Sequence, residues 1–167
     1  MRRTSKVARL FSLAFVIWAL DFLTKNWAVT HLNSSPKKIL GSFLQFTLVR
    51  NPGAAFSMAT GFTIVFTLLS LAVAIVIIRF ARLLTSTGWL VVAALVLGGV
   101  LGNLTDRAFR SPGFLYGHVI DWIQLPHWPV FNVADSSIVV AAVIAFTLTL
   151  RNVRPIAPSQ ESGTPNV

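Results

Sequence analysis

Four long apolar stretches separated by shorter polar segments dominate the sequence. A helix needs about 20 mostly apolar residues to cross a bilayer, and the second stretch is close to the short limit. The pattern predicts an all-α membrane protein with four transmembrane helices in a single domain, residues 1–155, and a disordered cytoplasmic tail, residues 156–167. The predicted spans cover residues 9–29, 62–79, 88–106 and 134–151.

The first apolar stretch allows a second interpretation, because basic residues precede it as they do in a cleaved signal peptide. No clean cleavage motif of small residues follows it, however, and Asp21 and Lys25 continue a helical pattern. Side chains at positions i and i+4 meet on a helix. We therefore expect a transmembrane helix in which Asp21 and Lys25 form a structural ion pair near the outer end.

The segment between the first two spans predicts a small β element. Leu44, Phe46 and Leu48 alternate with polar residues, as in a short strand, and the Asn-Pro-Gly sequence at residues 51–53 predicts a turn. Two interpretations remain open. The segment is either a hairpin that ends at a helix start, or an extracytoplasmic β platform of two strands that lies on the membrane and directs Asn51 into a site.

Glycines and polar residues occur together in the third apolar stretch. The spacing of Gly98 and Gly102 lets another helix backbone approach closely. Ionisable groups at membrane depth are functional candidates by default, but for the neighbours Asp106 and Arg107 we expect an ion pair that fixes the helix end. One helical face carries Gly99, Asn103, Asp106 and Arg107.

Aromatic residues dominate the segment between the third and fourth spans, residues 108–131. Aromatic rings with scattered polar neighbours suit the headgroup level of a bilayer. We therefore expect an interfacial aromatic loop. Its aromatic residues include Phe114, Tyr116, Trp122, Trp128 and Phe131.

The composition supports a membrane protein and excludes several kinds of chemistry. Only 11% of the residues are charged, against about a quarter in soluble domains. The net charge of +9 comes from basic residues that flank the apolar stretches; this favours anchoring in an anionic membrane over binding to nucleic acid. The chain contains no cysteine, so a disulfide framework, a thiolate nucleophile and a cysteine-bound metal are excluded.

The distribution of basic residues predicts the orientation in the membrane. Four spans place both termini on one side, and that side would carry eight of the 14 Lys and Arg residues, the other six. Because the more positive side is usually cytoplasmic, we expect both termini in the cytoplasm and the segments at residues 31–57 and 108–131 outside. The eight are Arg2, Arg3, Lys6, Arg9, Arg79, Arg82, Arg151 and Arg154.

Two of the five acidic residues, Asp121 and Asp135, fall just before and at the start of the fourth span. On one continuous helix, their spacing would separate them by about 21 Å. Pro126 and Pro129 lie between them, so the chain can fold back and bring them together. Two adjacent carboxylates can share a proton and activate water. The alternatives are that Asp135 caps the fourth helix with Asn132 and that Asp121 is an exposed loop acid.

No other catalytic set is visible. The sequence has neither a His-Glu-x-x-His metal motif nor a Gly-x-Ser-x-Gly nucleophile motif. Its three histidines, His31, His118 and His127, are dispersed. We therefore predict no metal site and no cofactor.

Five motifs in order resemble those of bacterial lipoprotein signal peptidase, also called signal peptidase II, a family of intramembrane aspartyl proteases. They are Asp21 to Lys25, Asn51-x-Gly-Ala-Ala-Phe-Ser57, Gly102-Asn-x-x-Asp-Arg107, Val119-x-Asp121 and Phe131-Asn-x-Ala-Asp135-Ser. The resemblance implies that Asp121 and Asp135 are the catalytic pair. It also implies that the substrate-binding or site-supporting residues are Asn51, Gly53, Asn103, Asp106, Arg107, Asn132 and Ala134.

The resemblance also implies the reaction and the place. The enzyme would remove the signal peptide from diacylglyceryl-modified prolipoproteins, cutting before the lipidated cysteine at the outer membrane–water interface. It would be a multi-pass monomer of the bacterial inner (cytoplasmic) membrane, with lipidated prolipoproteins and membrane lipids as partners.

A transporter subunit or an assembly scaffold is the alternative, but such proteins place acids near the bilayer midplane. Here the acids cluster at one end, which favours the enzyme.

Overall fold

A computed structural model describes residues 3–53 and 63–156. Apart from Ile156, the predicted tail at residues 156–167 lies outside this described part. The elements in chain order are α1 (Arg3–His31), β1 (Lys37–Leu40), β2 (Leu44–Asn51), α2 (Thr63–Phe80), a 3-10 turn (Ala81–Leu83), α3 (Thr87–Phe109), β3 (Val119–Gln124) and α4 (Val133–Leu150).

Four helices are long and apolar enough to cross a membrane, as the sequence predicts. Their apolar side chains face outward to a large extent, because in a bilayer the surroundings of such a bundle are also apolar. The first helix is longer than the predicted span 9–29, since its N-terminal turns continue through the basic residues Lys6 and Arg9. The candidate spans are Ser5–His31, Thr63–Leu83, Thr87–Phe109 and Val133–Leu150.

Helix α3 is the most buried of the four and packs against α1 on one side and α4 on the other. Two glycines allow this close approach. A Cβ atom on Gly98 would lie 2.7 Å from the carbonyl oxygen of Ala14 in α1, and one on Gly99 would lie 2.6 Å from that of Ala134 in α4. The predicted close helix contact at this stretch is therefore confirmed, and α3 brings the polar groups of three helices together.

A three-stranded antiparallel sheet in the order β1-β2-β3 lies at one end of the bundle. The alternating residues after position 43 do form a strand, β2, and it pairs with β1 as a hairpin. The sheet has a third strand, however, and this strand comes from the segment predicted as an aromatic loop. In the register of β2 and β3, Val49 lies opposite Asp121 and Asn51 lies opposite Val119.

Strand β3 forms because two of its side chains are buried against a residue that is distant in sequence. Ile120 and Trp122 pack with Ala28 of α1 in a small core. Trp122 also meets Trp27 and Phe46 edge to face, with ring centroids 5.6 and 4.9 Å away. The alternative of an exposed loop acid at position 121 is therefore wrong, because β3 carries Asp121 into the interior, where it is 2% exposed.

Candidate active site

Asp121 is held by two amide side chains that come from different elements. Asn51, the last residue of β2, donates a hydrogen bond from Nδ2 to Asp121 Oδ2 over 2.9 Å. Asn132, which caps α4, donates from its own Nδ2 to Asp121 Oδ1 over 2.6 Å. Both carboxylate oxygens are thus occupied by neutral donors, and no cation forms a salt bridge with Asp121 within residues 3–53 and 63–156.

Asp135 lies in the first turn of α4 and is half-buried. It forms a capping box with Asn132. The Asn132 Oδ1 atom accepts from the backbone N–H of Asp135 over 2.9 Å, and Asp135 Oδ2 accepts from that of Asn132 over 3.3 Å. The capping interpretation is therefore correct, but it does not exclude a role in a site. Because Asn132 binds both carboxyl groups, the helix cap itself brings Asp121 and Asp135 together.

Asn103 of α3 completes this network of amides. Its Nδ2 atom donates to Asp135 Oδ1 over 2.8 Å, and its Oδ1 atom accepts from Asn132 Nδ2 over 3.2 Å. The amide network (Asn51, Asn103 and Asn132) therefore connects the two aspartates without neutralising either of them.

Burial raises the pKa of Asp121 from its usual value to about 7, and the nearby charge of Asp135 acts in the same direction. The hydrogen bonds from Asn51 and Asn132 oppose this shift. Near neutral pH, Asp121 can therefore keep a proton beside the Asp135 carboxyl group. A protonated carboxyl beside an ionised one can act as an acid and a base in the same reaction.

A buried ion cluster lies directly behind the amide network. The ammonium of Lys25, a residue 1% exposed, is 2.7 Å from Asp21 Oδ2 and 3.0 Å from Asp106 Oδ2. It also donates to Asn103 Oδ1 over 2.8 Å. Three acceptors match the three N–H donors of an ammonium. The ion pair predicted for Asp21 and Lys25 is present, and Lys25 belongs to a larger cluster.

The cluster fixes α4 as well as α1 and α3. Asp21 Oδ1 accepts from the backbone N–H of Ala134 over 2.9 Å. The first N–H groups of a helix have no partner within the helix, and a carboxylate is well placed there. Asp21 therefore anchors the turn of α4 that carries Asp135.

Asp106 does not form the predicted ion pair with Arg107. One step along a helix turns a side chain by about 100°, so neighbours point in different directions, whereas Arg110, four residues on, lies on the same side. Asp106 Oδ1 pairs with Arg110 Nε, and Asp106 Oδ2 also accepts from the backbone N–H of Ile120 over 3.0 Å. Asp106 therefore anchors β3 at the residue before Asp121.

Sequence reasoning did not identify Arg110 or Asn26 as members of this cluster. Arg110 Nη2 donates to Asn26 Oδ1 in α1 over 3.0 Å. The spacing of Asp106 and Arg110 at i and i+4 was the available signal. The contact of Arg110 with Asn26 spans 84 positions, and no local pattern predicts it.

Arg107 is not part of the ion cluster of Asp106 and Arg110, and it is 7% exposed. Its Nη1 atom has no hydrogen-bond partner within the described residues, although Arg107 interacts electrostatically with both Asp121 and Asp135. Its Nη2 atom would lie 3.7 Å from a Cβ atom on Gly53. A buried guanidinium with an unused donor beside two carboxyl groups can bind a carbonyl oxygen of a ligand.

Gly53 sets the direction of Asn51. Its φ of 113° lies in the region that favours glycine. This turn lets the backbone N–H of Gly53 donate to Asn51 Oδ1 over 2.8 Å. With its oxygen held in this way, the Asn51 amide presents its nitrogen to Asp121.

A cavity of about 150 Å³ opens beside Asp121. Its walls come from the end of β2, from β3 and from the connection between β3 and α4. A small side chain or several water molecules can therefore reach the carboxyl group. The cavity is lined by Val49, Arg50, Asn51, Pro52, Asp121, Pro129 and Val130.

Comparison with known proteins shows a family match over most of the chain. The family model described as signal peptidase (SPase) II matches residues 13–151. A lipoprotein signal peptidase of Rhodococcus jostii is 49% identical over 147 residues, covering 87% of this chain and 74% of the relative. That of Streptomyces coelicolor is 44% identical over 155 residues, covering 92% and 76%. That of Mycobacterium tuberculosis is 46% identical over 146 residues, covering 87% and 72%.

Two solved structures share the fold. One is a bacterial membrane enzyme determined by the in meso method at 1.9 Å, with a TM-score of 0.75 and 25% identity over 87% of this chain and 94% of that chain. The other is a bacterial membrane enzyme determined by the same method at 2.3 Å. It has the same TM-score and 23% identity over 96% of this chain and 95% of that chain.

We expect Lys25→Met to lower the free energy of unfolding by roughly 3–5 kcal/mol, because it leaves the buried carboxylates of Asp21 and Asp106 without their shared cation. The matched control is Lys37→Met, which removes an exposed lysine of β1. Thermal unfolding of the purified proteins in one detergent measures the difference. Equal melting temperatures for the two variants would contradict the role given to Lys25.

Proposed function

Because the chain belongs to the signal peptidase II family, the proteases that cleave signal peptides from prolipoproteins, we propose that it does so as an aspartic endopeptidase with Asp121 and Asp135 as the catalytic pair. The observation that carries this proposal is that Asn132 donates to both carboxyl groups, from its side-chain amide to Asp121 and from its backbone N–H to Asp135. Amides hold both groups in place, and neither group forms a salt bridge with a cation of the described residues.

In the proposed reaction, ionised Asp135 takes a proton from a water molecule while the water oxygen adds to the scissile carbonyl carbon. Protonated Asp121 donates its proton to the carbonyl oxygen. The C–N bond then breaks as Asp135 gives its new proton to the leaving nitrogen and Asp121 takes a proton from a hydroxyl of the intermediate. Both carboxyl groups thereby return to their starting states.

The supporting residues divide between three tasks. Asn51, Asn103 and Asn132 hold the carboxyl groups at the correct separation, and Gly53 fixes the Asn51 amide. Arg107 uses its Nη1 atom, which has no hydrogen-bond partner among the described residues, to bind a backbone carbonyl oxygen of the substrate near the cut. Asp106 and Ala134 anchor the segments that carry Asp121 and Asp135.

The substrate is a prolipoprotein with a diacylglyceryl group on the cysteine that follows the cut. The pair lies where the spans meet the sheet, with Asp135 in the first turn of a span and Asp121 on a strand beyond the spans. An acyl chain contributes about 0.8 kcal/mol for each buried CH₂ group. Two chains in the bilayer therefore hold the scissile bond at this depth, and membrane lipids surround the complex.

The protein is a multi-pass membrane protein, as its four apolar helices and its family indicate. We place it as a monomer in the inner (cytoplasmic) membrane of a bacterium, with both termini in the cytoplasm and the sheet outside. The two ends of the bundle carry different residues. The sheet and the aspartates lie at one end, and the spans end at the other with the arginines Arg79, Arg82, Arg151 and Arg154. This orientation gives the site access to an exported substrate.

We expect Asp121→Asn and Asp135→Asn each to abolish cleavage of a lipidated precursor, because an amide can neither accept the proton of water nor supply one of comparable acidity. Glu161→Gln makes the same chemical change at the fifth acidic residue and serves as the control. Single-turnover cleavage by purified proteins with matched melting temperatures provides the measurement. Turnover within about tenfold of the unmodified protein in either aspartate variant would refute the pair.

The orientation is testable with single cysteines, since the chain has none of its own. In intact cells, we expect Ser35→Cys and Ser111→Cys, both at exposed positions near the sheet, to react with an impermeant maleimide. Thr85→Cys, exposed between α2 and α3, should react only after lysis and is the internal control. The reverse pattern would place the aspartates on the cytoplasmic side and contradict the proposed access.

A further inference from the structure

The cavity beside Asp121 has a charged residue in its wall that the proposed reaction does not use. Resting on the proposed function, we propose that this cavity receives the side chain of the substrate residue that follows the lipidated cysteine. We further propose that Arg50 selects acidic side chains there and disfavours basic ones. The following observations on position, size and charge support this assignment.

The position of the cavity identifies which part of the substrate enters it. Asp121 forms part of the wall, so a side chain in the cavity lies next to the reacting bond. None of the other lining residues belongs to a candidate span, because they come from the end of β2, from Pro52 and from the connection between β3 and α4. A signal peptide is apolar and stays among the spans, whereas the mature chain leaves the membrane. The cavity therefore lies on the path of the mature chain.

The size of the cavity limits its occupant to one side chain. Its volume is about 150 Å³, and a protein cavity of roughly this volume holds one benzene molecule. Two prolines, Pro52 and Pro129, restrict the backbone of its walls. A small or medium side chain such as that of aspartate or serine fits without displacing the walls.

The charges around the cavity favour an acidic occupant. Arg50 is exposed and forms no salt bridge with an acidic group of the described residues. Asp21 and Asp106 are engaged with Lys25 and Arg110, and Asp121 and Asp135 are held in the amide network. The positive charge of Arg50 is therefore available to a carboxylate of the substrate.

The neighbouring strand strengthens this preference without determining its position. Lys37 and Lys38 of β1 are exposed on the same sheet, so they add positive charge to the sheet outside the cavity. A surface of one sign attracts substrates of the opposite sign over several ångströms, whereas only Arg50 lines the cavity itself. The charge of Arg50 should affect only the substrate side chain in the cavity, whereas the charges of Lys37 and Lys38 act on the substrate as a whole. Mutation of Arg50 or of Lys38 can therefore separate the two effects.

The test compares three lipidated precursors that differ only in the residue after the cysteine, which is aspartate, serine or lysine. Initial rates in one neutral detergent give kcat/KM for the unmodified protein, for Arg50→Gln and for Arg50→Glu. Lys38→Gln is the matched control, because it removes one positive charge from the sheet outside the cavity. We expect the unmodified protein to prefer aspartate over lysine by about fivefold, the range of a solvent-exposed ion pair.

The same preference should vanish in Arg50→Gln, reverse in Arg50→Glu and persist in Lys38→Gln. High salt should reduce it. An unchanged ratio of aspartate to lysine rates in Arg50→Gln, or an equal loss of preference in Lys38→Gln, would overturn the assignment of Arg50. The serine precursor separates this outcome from the proposed function, because the unmodified protein and Lys38→Gln should cleave it at similar rates. Failure of the unmodified protein to cleave it would count against the proposed function instead.

Discussion

The ammonium of Lys25, buried between three helices, is the interaction on which the rest of the site depends. A buried cation is costly unless it is fully paired, and Lys25 meets this condition with one oxygen each from Asp21, Asp106 and Asn103. Each acceptor then holds a further group. Asp21 binds the first turn of α4, Asp106 binds β3 before Asp121, and Asn103 binds Asp135. One charge thus ties four elements into a single arrangement.

The four aspartates of the described chain fall into two chemical groups. Asp21 and Asp106 form salt bridges with Lys25 and Arg110, which suits them to hold structure. Asp121 and Asp135 are bound by amides, which fix their positions and leave their charges without a salt-bridge partner in the described chain. Burial then raises the pKa of Asp121 to about 7, so Asp121 can keep a proton near neutral pH. The contrast between cationic and amide partners separates the positioning residues from the proposed catalytic pair.

Much of this arrangement is predictable from sequence where local spacing determines the contact. The four spans follow from the length of the apolar stretches, and the strand at Leu44 follows from the alternation of apolar and polar residues. The close glycine contact and the pairing of Asp21 with Lys25 follow from spacings of one helical turn. The third strand does not, because it depends on packing of Ile120 and Trp122 against Ala28, far away in the chain. The partner of Asp106 was predicted wrongly for a local reason, since adjacency in sequence was taken for adjacency on a helix.

The meeting of Asp121 and Asp135 is an intermediate case. The prolines between them show only that the chain can turn back, and the family resemblance was needed to predict that the two residues work together. The structure supplies the physical link in Asn132, whose capping role in α4 and hydrogen bond to Asp121 use different atoms of one amide. A helix cap that also binds a distant carboxyl group is a tertiary feature, and a capping motif alone does not reveal it.

The pH dependence of kcat/KM for a lipidated precursor tests the central claim, that Asp121 acts protonated while Asp135 acts ionised. Activity should fall as the pH rises through about 7, because Asp121 then loses the proton that it must donate. The account therefore predicts a profile whose alkaline limb lies near neutrality. A rate that stays constant from about pH 6 to about pH 9 would contradict it.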